Sequence, residues 1–393
     1  MAARLKAIAD RGISFHNDID PSRWPEAHRD TFNVVQRLKS TVYSDSDIGG
    51  RANILSSRAR ECQNDKLNEA EWRSRLEAFI FQRLDDEFLC RRCRGTFCEW
   101  KINDNSGPSE DCAVALFADE QTRAMCQCHH GSGPPPVKSK LFGYAQTGVP
   151  LDDDIASAVE RTYEVPDRVY SLRRVATLDH VLGQKDGRQG HENQTLRESL
   201  PYSLYPKKER PLAFPFVLLE SKSGTNTVSF DGINIQVAFV AEKMLRIQEQ
   251  IRGDESSSSP LIWCFLHKGP KWRVSAGYYK PKENERSDGK TEIAKLWEGD
   301  ITNSTDSTQL LRIVDHIANW AYTDHRKATI HELQQLALPR TPTITKQETS
   351  WKLQPLVFLV FVLVGVVVVG FGLFSWLVLF GLVLRMSHSH LRR

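Results

Sequence analysis

The chain has little net charge: 52 Lys and Arg against 49 Asp and Glu leave +3 over 393 residues. That balance argues against a strongly basic coat that binds nucleic acid regardless of sequence, while leaving room for a local basic groove. There is no Gly-X-Y period, no acidic low-complexity tail and no dense cysteine framework in a short chain. Collagen, a disordered acidic tail and a small disulfide scaffold are thereby excluded. The first ten residues, MAARLKAIAD, contain no apolar stretch of the kind a secretory signal needs. No internal repeat is visible. The length suggests two or three folded units, enough to bury a sizeable core.

The mean hydropathy of −0.42 conceals a strong asymmetry at the C-terminal end. Residues 355–384 form 30 consecutive uncharged positions, 23 of them Val, Leu or Phe. About 20 apolar residues suffice to cross a bilayer core. Insertion of this run should be favourable by on the order of 7 to 14 kcal/mol. As one helix it would exceed the hydrocarbon thickness, so it must tilt or leave its ends in the headgroup layer. Gly365, Gly370, Gly372 and Gly381 never fall four apart, so no GxxxG dimer face is present. A single-pass, tail-anchored membrane protein with its N-terminal part cytosolic or nuclear is expected. Arg385, Arg392 and Arg393 would by themselves favour the opposite orientation; the missing signal outweighs them.

Six of the eight cysteines lie between Cys90 and Cys128. Cys90 and Cys93 have the CxxC spacing that lets one turn grip a tetrahedral zinc, and Cys126 and Cys128 could close the shell. Cys98, Cys112 and His129 are alternates, and unmetallated reduced thiols are the plainer reading. Without a secretory signal a disulfide framework is not expected. Cys62 and Cys264 read as lone structural thiols.

Residues 1–60 are polar, with weak helical segments. From Asp65 to Leu84 the residues Trp72, Leu76, Phe79 and Ile80 recur at helical spacing. GSGPPP at 131–136 reads as a linker. Residues 152–161 read as a helix, 169–175 as a strand, 183–210 as a polar insertion and 214–219 as a buried strand. Residues 233–251 show a helix pattern. Apolar runs 261–266 and 272–279 flank a turn that includes His267 and Lys268. A strand over 296–301 and a helix over 310–322 complete the folded part, and the Thr/Pro-rich stretch 338–350 reads as a tether. Trp263, Trp272 and Trp297 are expected in the core, His325 and His331 on the surface.

Pro166-Asp167 opens one strand and Glu220-Ser221-Lys222 ends the next. Alternation along a strand places Glu220 and Lys222 on the same face. Two carboxylates meeting at the ends of neighbouring strands make an oxygen-rich site for Mg²⁺ or Mn²⁺. An adjacent lysine can orient an attacking water or stabilise charge on a phosphoryl oxygen. Alone, Glu-x-Lys is common on solvated strands; here it follows the apolar run PFVLLE.

The segments PDRVYSLRR, FPFVLLESKS, INIQVAFVAEKML and WRVSAGYY resemble the fungal branch of the PD-(D/E)XK nuclease superfamily over roughly residues 60 to 335. The resemblance implies an α/β protein with a restriction-endonuclease-like αβββαβ core. It implies that Asp167 and Glu220 bind the metal and that Lys222 completes the active site. It also implies an acidic residue from the first helix, for which Glu71 is the candidate with Glu69 behind it, and a polar residue from the later helix, Gln236. The separation of 53 positions between Asp167 and Glu220 requires residues 180–210 to loop out. The expected organisation is a polar extension (1–60), a nuclease-like domain (61–337) with a Cys-rich insertion (90–130), a linker (338–354), a transmembrane helix (355–384) and a basic tail (385–393). The expected activity is metal-dependent cleavage of nucleic-acid phosphodiesters. The alternatives are an inactive membrane-anchored scaffold that keeps the fold, and a zinc-dependent module whose cysteines recognise a partner.

Overall fold

A computed structural model describes residues 2–17, 20–40, 46–90, 96–98, 138–191, 193–205, 212–252, 259–280 and 289–338. In chain order the elements are α1 (Ala2–Asp10), β1 (Ile13–His16), α2 (Glu26–Ser40) and α3 (Ser46–Asn64). The helical run α4 follows, in segments Glu69–Trp72, Arg73–Glu77, Ala78–Ile80 and Gln82–Asp85. Then come β2 (Glu87–Cys90), β3 (Thr96–Cys98), β4 (Lys138–Lys140), β5 (Phe142–Ala145), β6 (Val149–Pro150), α5 (Asp153–Val159) and β7 (Tyr163–Glu164). They are followed by β8 (Arg168–Arg173), α6 (Ala176–Leu182), α7 (Leu196–Ser199), β9 (Leu212–Lys222), α8 (Phe230–Glu249), β10 (Leu261–Lys268), β11 (Lys271–Lys280) and β12 (Lys290–Asp300). Two last helices, α9 (Ser304–Trp320) and α10 (Arg326–Ala337), are joined by a π-helical turn, Ala321–His325.

The main sheet has seven strands in the order β1-β12-β11-β10-β9-β8-β5. β5, β8 and β9 run antiparallel, β9 and β10 parallel through the crossover helix α8, and β10, β11 and β12 antiparallel again. The expected α/β class is observed, built on a large mixed sheet. Its centre is dry because the central strands are apolar on both sides: in β10 every residue from Leu261 to His267 is buried. Trp263 packs edge-on to Trp320, and Phe265 edge-on to Phe81, while the intervening Ile262, Cys264 and Leu266 are equally buried. Both faces of the sheet are therefore covered, as parallel pairing requires. Trp263, Trp272 and Trp297 all lie in this core, and Cys62 and Cys264 are buried free thiols.

The largest difference from the sequence reading is at the N-terminal end. Residues of the first 60, expected as a weakly helical polar extension, supply core side chains such as Ile13, Trp24, Phe32 and Leu55. β1 also extends the main sheet, pairing parallel to β12 from Ile13↔Thr291 to His16↔Ala294. The apolar residues are too few to announce themselves by periodicity, but most of the large ones land on the core; Leu5 and Ile54 stay exposed. Met1–Pro339 forms one unit.

Pro215 interrupts β9, and the pairing with β8 shifts register on both sides of Ser171. Proline has no N–H to give the ladder, so a bulge accommodates it. Phe214 takes the left-handed backbone there, φ 49°. The released carbonyls find partners from helices: His325 Nε2 donates to Phe214 O at 3.2 Å, and Gln248 Nε2 to Pro215 O at 2.9 Å. His325 is accordingly buried and stacked on Trp320, a correction to its expected surface position. His267 is likewise a strand residue with no exposed surface, stacked on Trp272 at 4.3 Å, and not part of a solvated turn. The turn itself is Gly269-Pro270.

Between β8 and β9, α6 precedes the polar insertion and α7 lies within it, and the insertion is tied to the C-terminal helix by Gly187 N donating to Leu336 O at 2.8 Å. In the Cys-rich segment, Cys90 ends β2 and Cys98 ends β3 of a small sheet ordered β3-β2-β4. Cys93, Cys112, Cys126, Cys128 and His129 lie outside the described residues, so the zinc set has no geometry here. The run 355–384 also lies outside them; among the described residues no helix is long and apolar enough to cross a membrane.

Candidate functional site

β8 and β9 pair as Arg168↔Leu219 and Val169↔Leu218. One further step in this register sets Asp167 opposite Glu220, so the two acidic residues predicted from the sequence arrive at the same end of the sheet. The strand β9 brings Glu220 there out of a fully buried apolar run, and the alternation of the strand puts Lys222 beside it. Lys222 Nζ donates to Glu220 Oε1 at 2.6 Å and to Ser221 O at 2.8 Å. The strand end is closed by Gly269 N donating to Lys222 O at 3.0 Å. Gly269 sits at φ +56°, and a Cβ there would meet Gly224 Cα at 2.8 Å, so the close approach of the two turns requires glycine.

Glu220 is only 8% exposed. Burial pushes its carboxyl up to about 7, helped by the nearby charge of Asp167 and, more weakly, of Glu69; Lys222 opposes this without cancelling it. Desolvation and like charge both disfavour the ionised form. Shifts of this kind, with a named charge partner, cluster at functional sites.

Asp167 is held differently. Its Oδ2 accepts from Ser221 N at 2.6 Å and from Ser221 Oγ through a very short contact. Its Oδ1 is 2.6 Å from Arg73 Nη1, and its backbone carbonyl accepts from Arg73 Nη2 at 3.2 Å. Arg73 in turn lies 3.4 Å, through Nε, from Oε1 of the fully buried Glu77. Glu77 also faces Arg168 Nε at 3.2 Å and His267 Nε2 at 3.4 Å. Beneath the acidic pair there is thus a second layer of buried charge, reached from α4 and the neighbouring strands.

The first-helix candidates divide. Glu71 closes a capping box with Asn68, its Oε2 accepting from Asn68 N at 2.9 Å, so its carboxylate stabilises the helix start. Glu69 is the one whose charge acts on Glu220. For Gln236 the described contact is through its carbonyl, which accepts from Arg4 Nη2 at 3.0 Å. Among the described contacts, none ties its side chain to Asp167 or Glu220. Arg73, Glu77 and Ser221 were not singled out in the sequence. Arg73 and Glu77 are four apart beside the Trp72–Leu76 apolar stripe, which is the one signal that could have marked them.

Among the described residues no group of three or more His, Cys, Asp or Glu gathers closely enough to hold a metal ion. The donors at the site are two carboxylates, both hard oxygen ligands. Such a pair suits Mg²⁺ or Mn²⁺, which keep several waters and take phosphate oxygens as further ligands. No family model matches the chain, and neither a curated protein nor a solved structure matches it.

Proposed function

We propose that the protein is a PD-(D/E)XK nuclease-like hydrolase of nucleic-acid phosphodiesters, dependent on Mg²⁺ or Mn²⁺ and anchored to a membrane through residues 355–384. The observation that carries this reading is the meeting of Asp167 and Glu220 at the ends of paired strands, with Lys222 Nζ 2.6 Å from Glu220. The element order supports it: α4, then antiparallel β5, β8 and β9, then α8 and a parallel β10 follow the expected αβββαβ core.

Asp167 and Glu220 would hold the cation, which when bound supplies Lewis acidity toward a phosphoryl oxygen and a more acidic water. The chain's own groups do the remaining work. Lys222 presents an ammonium beside Glu220, where it can orient the attacking water or offset charge on the phosphate. Glu220, with its carboxyl near 7, gains its charge as pH rises through neutrality. Cation affinity and cleavage should therefore increase from pH 6 to pH 8.

The test is incubation of the full chain, in detergent, with Mg²⁺ or Mn²⁺ and single- and double-stranded DNA and RNA. Chelator-sensitive cleavage is expected, falling about 100-fold or more in Glu220→Ala and Lys222→Ala. Four intact substrates, or either variant cutting at the parent rate, would refute the hydrolase. Release of the protein from membranes by alkaline carbonate would remove the anchor.

One observation favours a second reading, a membrane-anchored binding or scaffold protein that keeps the fold without the chemistry. Both Asp167 side-chain oxygens are already engaged, one by Arg73 and one by Ser221. Calorimetric titration with Mg²⁺ separates the two: a scaffold shows no heat that Asp167→Asn abolishes.

A further inference from the structure

We propose that Arg73 is a built-in counter-ion that occupies the cation position beside Asp167 and passes to Glu77 when a divalent cation binds. The inference rests on the cation-site reading above and adds the regulation of that site.

Arg73 stands between two carboxylates and is held unequally. Its contact with Asp167 is tight, 2.6 Å, and reinforced at the backbone carbonyl, whereas its Nε is 3.4 Å from Glu77. A divalent ion on Asp167 Oδ1 and a guanidinium on the same atom are like charges within a few ångströms, so they exclude one another. The displaced guanidinium has somewhere to go. Glu77 has no exposed side-chain surface, and its Oε2 accepts no hydrogen bond among the described residues; Arg168 Nε approaches to 3.2 Å without forming one. A buried carboxylate oxygen that is ion-paired but accepts no hydrogen bond gains from a further donor, which makes Glu77 a ready acceptor. Arg73 and Glu77 are also the two ends of the π-helical turn in α4. Such turns are uncommon and concentrate at functional sites. Arg73 retains 24% side-chain exposure, so part of its side chain borders solvent. Its planar fork suits carboxylates at both ends of the exchange.

The consequence is that the site binds its cation more weakly than two carboxylates alone would, because the ion has to displace Arg73. Mn²⁺ titrated calorimetrically into the full chain and into Arg73→Gln should bind at least about tenfold more tightly to the variant. Adding Asp167→Asn to Arg73→Gln should cancel that gain. A general loss of structure would weaken binding, so the direction of the change separates a counter-ion from a residue that merely supports the fold. Equal or weaker Mn²⁺ binding by a folded Arg73→Gln overturns the proposal. Should that variant not fold, Arg73→Lys, whose single ammonium cannot span both carboxylates, should bind about threefold more tightly, and unchanged affinity overturns the proposal equally. Absence of Mn²⁺ uptake by parent and variant alike removes the cation site itself, and the counter-ion with it. Uptake of equal strength by both removes the counter-ion alone.

Discussion

Glu220 is the residue on which folding and the proposed chemistry make opposite demands. A cation site needs its charge, whereas burial and the neighbouring Asp167 disfavour that charge and hold the carboxyl near 7, above the ordinary 4.5. The linkage has a definite sign. A group whose folded value is raised contributes stability that is complete below the unfolded value and is lost as pH rises through the folded one. This group therefore withdraws stability between about pH 4.5 and pH 7, by up to about 3 kcal/mol if the whole shift is realised. Glu220→Gln carries no such proton, so its urea midpoint should lose less than the parent's across that window. Parallel decline of the two proteins would show that the carboxyl titrates normally. The raised value follows from two facts a sequence does not display together, an apolar strand that ends inside the protein and an acid delivered opposite it by another strand.

At the scale of elements, β9 shows how one proline propagates. Pro215 breaks the ladder, the bulge frees two carbonyls, and the vacated bonds are made by Gln248 from α8 and His325 from the turn before α10. His325 is held neutral by this environment, its value lowered to about 4 by burial despite the carbonyl it faces. His325→Leu keeps the apolar bulk but leaves Phe214 O without its donor and Trp320 without its stacked ring. It should cost about 1–3 kcal/mol, read as a lowered urea midpoint. A midpoint equal to the parent's would mean that water replaces the donor without penalty. The apolar pattern of β9 was legible in the sequence, and so were α8, the β10–β11 hairpin and the second half of β12. The fate of His325 was not, because it depends on a bulge in a strand more than a hundred positions away.

At the scale of the molecule, the N-terminal residues are part of the folded unit. Arg4 pairs with the buried Glu164 at 2.6 Å, Arg11 with Asp152, Asp154 and Glu242, and β1 covers the edge of β12. Removal of residues 1–17 would leave Glu164 buried without its cation and β12 as an open edge. The truncated chain should lose at least about 3 kcal/mol and self-associate, seen as a lower melting temperature and increased light scattering. Unaltered melting and a monodisperse truncation would restore these residues to the status of an extension. Glu164 lies three residues before Asp167, so this packing also steadies the entry to β8.

What the sequence determined by itself is what short-range pattern can carry. The both-sided apolar run of β9, the Glu-x-Lys alternation at its end, the Pro-Asp opening of β8 and the helical spacing of α8 each follow from residues within a dozen positions of one another. From these, the α/β class and the residues Asp167, Glu220 and Lys222 were accessible. Only the tertiary structure decided that the charge of Glu69 acts on Glu220 while Glu71 closes the cap of its own helix. It alone placed Arg73 on Asp167, buried Glu77 and His267 together, and made the first strand an edge of the main sheet. The reason is physical: an ion pair between α4 and the start of β8 and a parallel edge pairing are settled by which groups lose their water together, and that depends on chain segments tens to hundreds of residues apart.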